Sequence, residues 1–240
     1  MGEPAIQTVT LTLYRFDNMA TRVWAFAMMA FARPQLARVN GLKFWKLCGS
    51  GTGEGFTPKP NIGVYGILCV WPDENTARTA LESEKIFQKY RAKASEAWTV
   101  FMEPVSTWGA WSGVAPFEVQ QPGYQGPLAA LTRATLRPHA LLRFWRRVPD
   151  ISQVIGQNKN VAFKIGIGEV PLLHQVTFSI WPDTSTMAAF AREKSGPHAK
   201  AIEAVRDGNW FREELYARFR ILRDEGTWNG QSPLKSLPAQ

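Results

Sequence analysis

His198 has the most suggestive setting among the three histidines of this chain. Ser195-Gly196-Pro197 breaks one helical pattern and opens another, with proline near the first helical position. His198, Ile202 and Val205 then recur at i, i+4 and i+7, which puts the imidazole on an apolar stripe. The positive end of a helix dipole disfavours imidazolium and keeps the ring neutral. A neutral imidazole facing an apolar cavity can ligate iron axially, although a packed core histidine shows the same pattern. His174 alternates with Val176, Phe178 and Ile180 and reads equally as a core or a cavity residue. His139, beside Arg137 and Pro138, reads as a solvent-facing first-turn residue. Thiolates would compete as iron ligands. Cys48, beside Lys46 in a short strand, and Cys69, in an apolar strand, read more simply as small core residues.

Other chemical patterns are sparse. The sequence contains no CxxC, HExxH, GxSxG or P-loop. GSGTGEG at 49–55 lacks the closing Lys-Ser/Thr of a phosphate loop; it reads as a flexible connection or as a flap at a cavity mouth. Glu213-Glu214 reads as an exposed strand start, and no pair of carboxylates suggests acid/base work.

These residues need elements to position them. Two segments, VYGILCVWPD at 64–73 and HQVTFSIWPD at 174–183, are apolar runs that end in Trp-Pro-Asp and lead into a helix. Pro suits a first helical turn and Asp caps amides, so each is a strand stop and a helix start. FWKL at 44–47 matches AFKI at 162–165, and Trp98-x-x-Phe101 matches Tyr216-x-x-Phe219, both at an offset of 118. The elements expected are strand, helix, strand, strand, helix, strand twice over. They span 8–15, 18–38, 43–49, 62–71, 73–93 and 97–105, then 129–136, 138–148, 161–167, 172–181, 183–205 and 214–223. The fold class is therefore α+β: duplicated ferredoxin-like βαββαβ halves that form a single-chain α+β barrel around a ligand-sized cavity. The expected division is an N-terminal half at 1–112, a linker at 113–127, a C-terminal half at 128–230 and a loose tail at 231–240.

Composition bounds the rest. Of 240 residues, 45% are hydrophobic and 20% charged, enough apolar mass for a packed core and against disorder. The ten tryptophans and fourteen phenylalanines can wall an apolar cavity or simply fill the core. A net charge of +8 suits anionic surfaces, yet only Arg143, Arg146 and Arg147 cluster, and no nucleic-acid-binding motif occurs, so nucleic acid is not an expected partner. Two cysteines and no export signal point to a reducing, cytoplasmic location. The longest uncharged apolar run, 23–32, is about half a bilayer span and reads as a buried helix, with a surface dipping into lipid as the lesser reading.

FWKLCGSGTGEGFTP at 44–58 and GPHAKAIEAVRDGNWFREELYARF at 196–219 resemble the spheroidene monooxygenase family of acyclic carotenoid ketolases, and the resemblance extends over nearly the whole chain. It implies a heme protein similar in architecture to the dimeric α/β-barrel heme proteins. Its activity would be a monooxygenase that uses O2 and external electrons to place hydroxyl or keto oxygen on a terminal carbon of an acyclic carotenoid. The implied cofactor is heme b, with His198 as the iron ligand and Lys46 and Lys164 as propionate partners. The implied partners are the carotenoid, molecular oxygen and an electron donor such as a ferredoxin. Peripheral contact with the inner or intracytoplasmic membrane would deliver the insoluble polyene. The alternative is a non-catalytic heme- or carotenoid-binding protein of the same fold.

Overall fold

Asp73 and Asp183 each end a strand and start a helix in the same way. Asp73 accepts from the backbone N–H of Thr76 at 2.7 Å and from its hydroxyl at 2.9 Å; Asp183 accepts from the N–H and hydroxyl of Thr186 at the same two distances. Each carboxylate satisfies amide groups that the first helical turn leaves unpaired. The structure, a computed structural model, describes residues 6–53, 55, 57–121, 123–146, 161–192 and 209–237.

Among these residues eight strands close into one antiparallel barrel. They are β1 (Thr8–Arg15), β2 (Phe44–Gly51), β3 (Pro60–Trp71), β4 (Glu96–Gly109), β5 (Leu128–Leu136), β6 (Phe163–Gly168), β7 (His174–Trp181) and β8 (Phe211–Gly226). Their order around the barrel is β1-β3-β2-β6-β7-β5-β8-β4. The halves of the chain meet where β2 pairs with β6 and where β4 pairs with β8. Helices α1 (Met19–Phe31), α2 (Arg33–Leu36), α3 (Glu74–Ser83) and α4 (Lys85–Lys93) lie on the outer face of β1–β4. The helix α5 (Thr184–Arg192) follows β7.

Alternation sorts every strand into two faces. Val64, Leu68 and Val70 of β3 and Val176, Phe178 and Ile180 of β7 point inward; Tyr65, Ile67, Cys69 and Trp71 point outward under the helices. The interior is filled by Trp98, Trp111, Phe117, Phe178 and Phe219 together with aliphatic side chains. The barrel interior is therefore packed rather than hollow among the described residues. An eight-stranded barrel has room for its own side chains or for one small ligand, and here the tryptophans occupy that volume.

The other departures have local causes. The helix expected at 18–38 breaks between Phe31 and Arg33, because Pro34 cannot donate to, and clashes with, the carbonyl one turn back. The one expected at 73–93 divides at Glu84, whose backbone is extended (φ −73°, ψ 128°); this turns Ile86, Phe87 and Tyr90 onto the sheet. The tail after Gly230 is not loose as far as Leu237, since Leu234 and Leu237 pack on the barrel core.

Candidate functional site

The outer faces of the two halves differ in one decisive way. On β1–β3 the face carries Leu47, Ile67, Tyr65, Tyr14 and Cys69, closed over by α1–α4. On the second half the corresponding strands present Gly166, Thr177, Gln175, Thr132, Ala134 and Ser179. Register arranges these side chains in rows across four strands. One row runs Lys164, Ser179, Ala130, Arg218; the next Gly166, Thr177, Thr132, Tyr216. At ~4.8 Å per strand spacing each row is about 14 Å wide. At one end α5 covers the face through Met187, which packs with Leu128 and Trp181. Beyond that cover lies a shallow floor of small side chains with a cation at either end of one row. At the β8 margin Tyr216 stacks with Trp108, ring centroids 5.7 Å apart, and Trp108 is 64% exposed.

A cleft of about 660 Å³ opens at the barrel end beside this face. Arg15, Arg22, Asn61 and Lys164 rim it, and Val64, Phe163 and Trp228 form its apolar wall. The glycine loop after β2 lies between cleft and face: a Cβ at Gly55 (φ +91°) would collide with the backbone of Gly166, so only glycine permits this approach.

The opposite barrel end holds a buried charged network. Arg133, whose side chain is 1% exposed, pairs with Glu169 and Glu213. Lys46 Nζ lies 3.0 Å from Glu169 and donates to Ser112 Oγ at 2.6 Å. Trp111 Nε1 donates to Glu169 at 2.6 Å, and the N–H groups of Ser112 and Gly113 donate to Glu213 at 2.9 and 2.7 Å. His174 Nδ1 sits 3.6 Å from Glu169. Burial holds its pKa below the usual imidazole range, against the pull of Glu169. Burial raises the Glu213 pKa, but the N–H groups of Gly113 and Ser112 and the Arg133 guanidinium outweigh it, so the net shift is downward. Glu213 is thus a latch for the segment after β4, not an exposed strand start.

These placements revise several expectations. Lys46 and Lys164 do not converge. Lys46 pairs in register with Leu68, an interior position, whereas Lys164 pairs with Ser179 on the outer face. Matching the two strands by residue type slipped their alignment by one residue, and one residue reverses the face. From the Ser50–Ile167 pairing, the two lysines stand roughly 23 Å apart along the strands at ~3.3 Å per residue. The same slip affects Trp98 and Tyr216, since Trp98 is interior and Tyr216 exposed. Cys48 and Cys69 are both free and buried, and burial pushes both thiols up, so neither supplies a thiolate. His139 is exposed. His198 lies outside the described residues, as does Arg147. Arg133 was missed because one arginine in an alternating strand carries no chemical signature; Glu169, just beyond β6, had none either.

Among the described residues no group of three or more His, Cys, Asp or Glu is placed to hold a metal ion. Small side chains on the second-half face nonetheless leave room for a flat cofactor. Gly166, Thr177 and Ala134 stand where the first half has Leu47, Ile67 and Tyr14, and Lys164 offers a cation at the β6 edge. No described helix is long and apolar enough to cross a membrane.

No family model matches the chain. Two solved aldoxime dehydratase structures share the fold. One, in complex with butyraldoxime, has a TM-score of 0.64 at 11% identity, covering 99% of this chain and 88% of that one. The other scores 0.60 at 12% identity, covering 92% and 83%. Sequence relatives are much nearer. A spheroidene monooxygenase of Cereibacter sphaeroides is 51% identical over 230 residues, 95% of this chain and 71% of that protein. That of Rhodobacter capsulatus is 49% identical over 95% of both chains, and that of Rubrivivax gelatinosus 33% identical over 88% and 81%. With identity at this level along almost its full length, the chain belongs to the spheroidene monooxygenase family.

Proposed function

We propose that this chain is a carotenoid monooxygenase that places oxygen on a terminal carbon of an acyclic carotenoid, and that the reaction occurs on the outer face of β5–β8. The observation that carries the location is the replacement of Leu47, Ile67 and Tyr14 of the first-half face by Gly166, Thr177 and Ala134 in the second. The floor accommodates a planar group, and the exposed Trp108–Tyr216 pair gives an apolar edge for a polyene.

Heme b is the cofactor expected on this face, with Lys164 at its β6 margin placed to pair the carboxylates and His198 as the expected iron ligand. Lys46 is left out of the cofactor set, because its ammonium is held by Glu169 and Ser112. When bound, heme would supply oxygen activation with electrons from an external donor such as a ferredoxin. The chain's own residues would orient the polyene, keep water from the reacting carbon and neutralise the cofactor's carboxylates. The β4-β1-β3-β2 and β8-β5-β7-β6 orders, and the identical Asp73 and Asp183 caps, support an origin by duplication, with halves at 1–112 and 128–230.

Membranes containing an acyclic carotenoid, incubated with the protein, a reductant and oxygen, should yield hydroxylated or keto carotenoids by chromatography. Turnover of small polar substrates alone would overturn the substrate assignment. A Soret band in the purified protein tests the cofactor separately. Binding of a carotenoid without reductant-dependent oxygen uptake would favour a carrier.

A further inference from the structure

Helix α1 breaks the usual rule for a surface helix. Its inner side, Ala25 and Met28, is buried, and Trp24 anchors it against Phe16 and Tyr90 at ring distances of 6.0 and 5.1 Å. Its outer side is apolar as well. Met19, Val23 and Phe26 are 62%, 59% and 66% exposed and recur with Ala30 at i, i+4, i+7 and i+11; Phe31, also 66% exposed, closes the stripe. Helices of globular proteins ordinarily turn polar residues outward, and contiguous exposed apolar surface marks a contact surface.

We propose that α1 is a docking helix that lies in the surface of an anionic lipid bilayer. Charge selects this occupant. From Asn18 to Gly53 the chain contains no acidic residue, while Arg33, Arg38 and Lys43 are exposed just beyond the stripe. Two copies meeting through this face would set those cations against one another. The stripe is also small for a dimer: 13 residues at 1.5 Å per residue give about 20 Å of helix, and at a helix width of ~10 Å a strip of about 200 Å², far short of the ~800 Å² per partner of a stable interface. A single helix with an apolar face and flanking arginines suits insertion at the headgroup boundary.

The position of α1 gives the docking a use. Arg22, in its first turn, lines the same cleft as Lys164 at the edge of the second-half face. A docked helix brings that cleft to the lipid surface, where an apolar substrate can pass from membrane to protein without crossing water. This use rests on the carotenoid reading; the docking itself rests on the stripe and its charges.

The full-length chain is tested by flotation with carotenoid-free liposomes of phosphatidylglycerol and phosphatidylcholine. Wild type should float with the mixed liposomes and about tenfold less with phosphatidylcholine alone. Val23→Ser with Phe26→Ser should lower flotation about tenfold or more. Its near-UV circular dichroism and its turnover of detergent-solubilised carotenoid should stay at wild-type levels. Arg33→Glu with Arg38→Glu should abolish the preference for phosphatidylglycerol. The proposal is overturned if wild type does not float, or if the serine variant floats as well as wild type. It is equally overturned if light scattering finds a wild-type dimer that the serine pair converts to monomer, since a second copy then covers the stripe. Absence of turnover in detergent by wild type would sink the carotenoid reading while leaving flotation, and the docking, intact.

Discussion

Lys46 Nζ and Glu169 Oε1 lie 3.0 Å apart at one end of the barrel, and the same carboxylate accepts from Trp111 Nε1 through its other oxygen. Through Ser112, Gly113 and Glu213, this pair and Arg133 hold the segment after β4 across that end. The network is a structural closure, and the lysine that faces the candidate site is Lys164.

Glu169→Gln should therefore act on stability. It leaves Arg133 and Lys46 short of a counter-charge in a water-poor site, and losing one partner of a buried pair costs about 3 kcal/mol. For a chain of this size that lowers Tm by roughly 6–12 °C. A calorimetric shift below about 2 °C would show that solvent or rearrangement compensates.

Groups at both ends of the barrel predict a two-stage loss of stability with acid. His174 has its pKa depressed by burial, so the unfolded chain takes up that proton first. Stability is then complete above the unfolded value of about 6.5 and declines as pH falls below it. Glu213 and Glu96 are carboxylates with lowered pKa values; each is raised by burial and brought lower by backbone N–H donors and an arginine. Their contribution is present above about 4.3 and is lost at lower pH. Urea midpoints measured from pH 8 to pH 3 should show both stages, and His174→Gln should flatten only the upper one.

Filling the second-half face should stop the reaction with little effect on folding. Thr177→Phe or Thr132→Trp places a large ring where the first half carries Ile67 or Thr12, and the interior-facing neighbours are untouched. Carotenoid turnover should fall at least about tenfold, the scale of a displaced reacting group. Phe178→Ala, one residue away but interior, should instead cost about 3–5 kcal/mol of stability. If both positions affect only stability, the reaction lies elsewhere.

Cofactor ligation separates three residues. His198→Ala should abolish stable heme incorporation, Lys164→Gln should weaken it, and His174→Ala should leave the iron spectrum as in wild type. Retention of a wild-type Soret band by the His198 variant, with loss in the His174 variant, would reverse the assignment.

What the sequence determined by itself is local. Alternation in 174–181 and 64–71 marked strands with two unlike faces, and each Trp-Pro-Asp marked a strand end followed by a capped helix, because these depend on neighbours within a few residues. The family was legible too, in the long stretches at 44–58 and 196–219. Tertiary structure decided what alternation leaves symmetric: which face turns inward. That choice put His174 beside Glu169 and made Phe178 core. It also depended on register: a one-residue slip gave Lys46 and Lys164 the same role, and only the pairings Lys46–Leu68 and Lys164–Ser179 separate them. Arg133, Glu169 and Glu213 come together from β5, the turn after β6 and β8, a contact that only barrel closure creates.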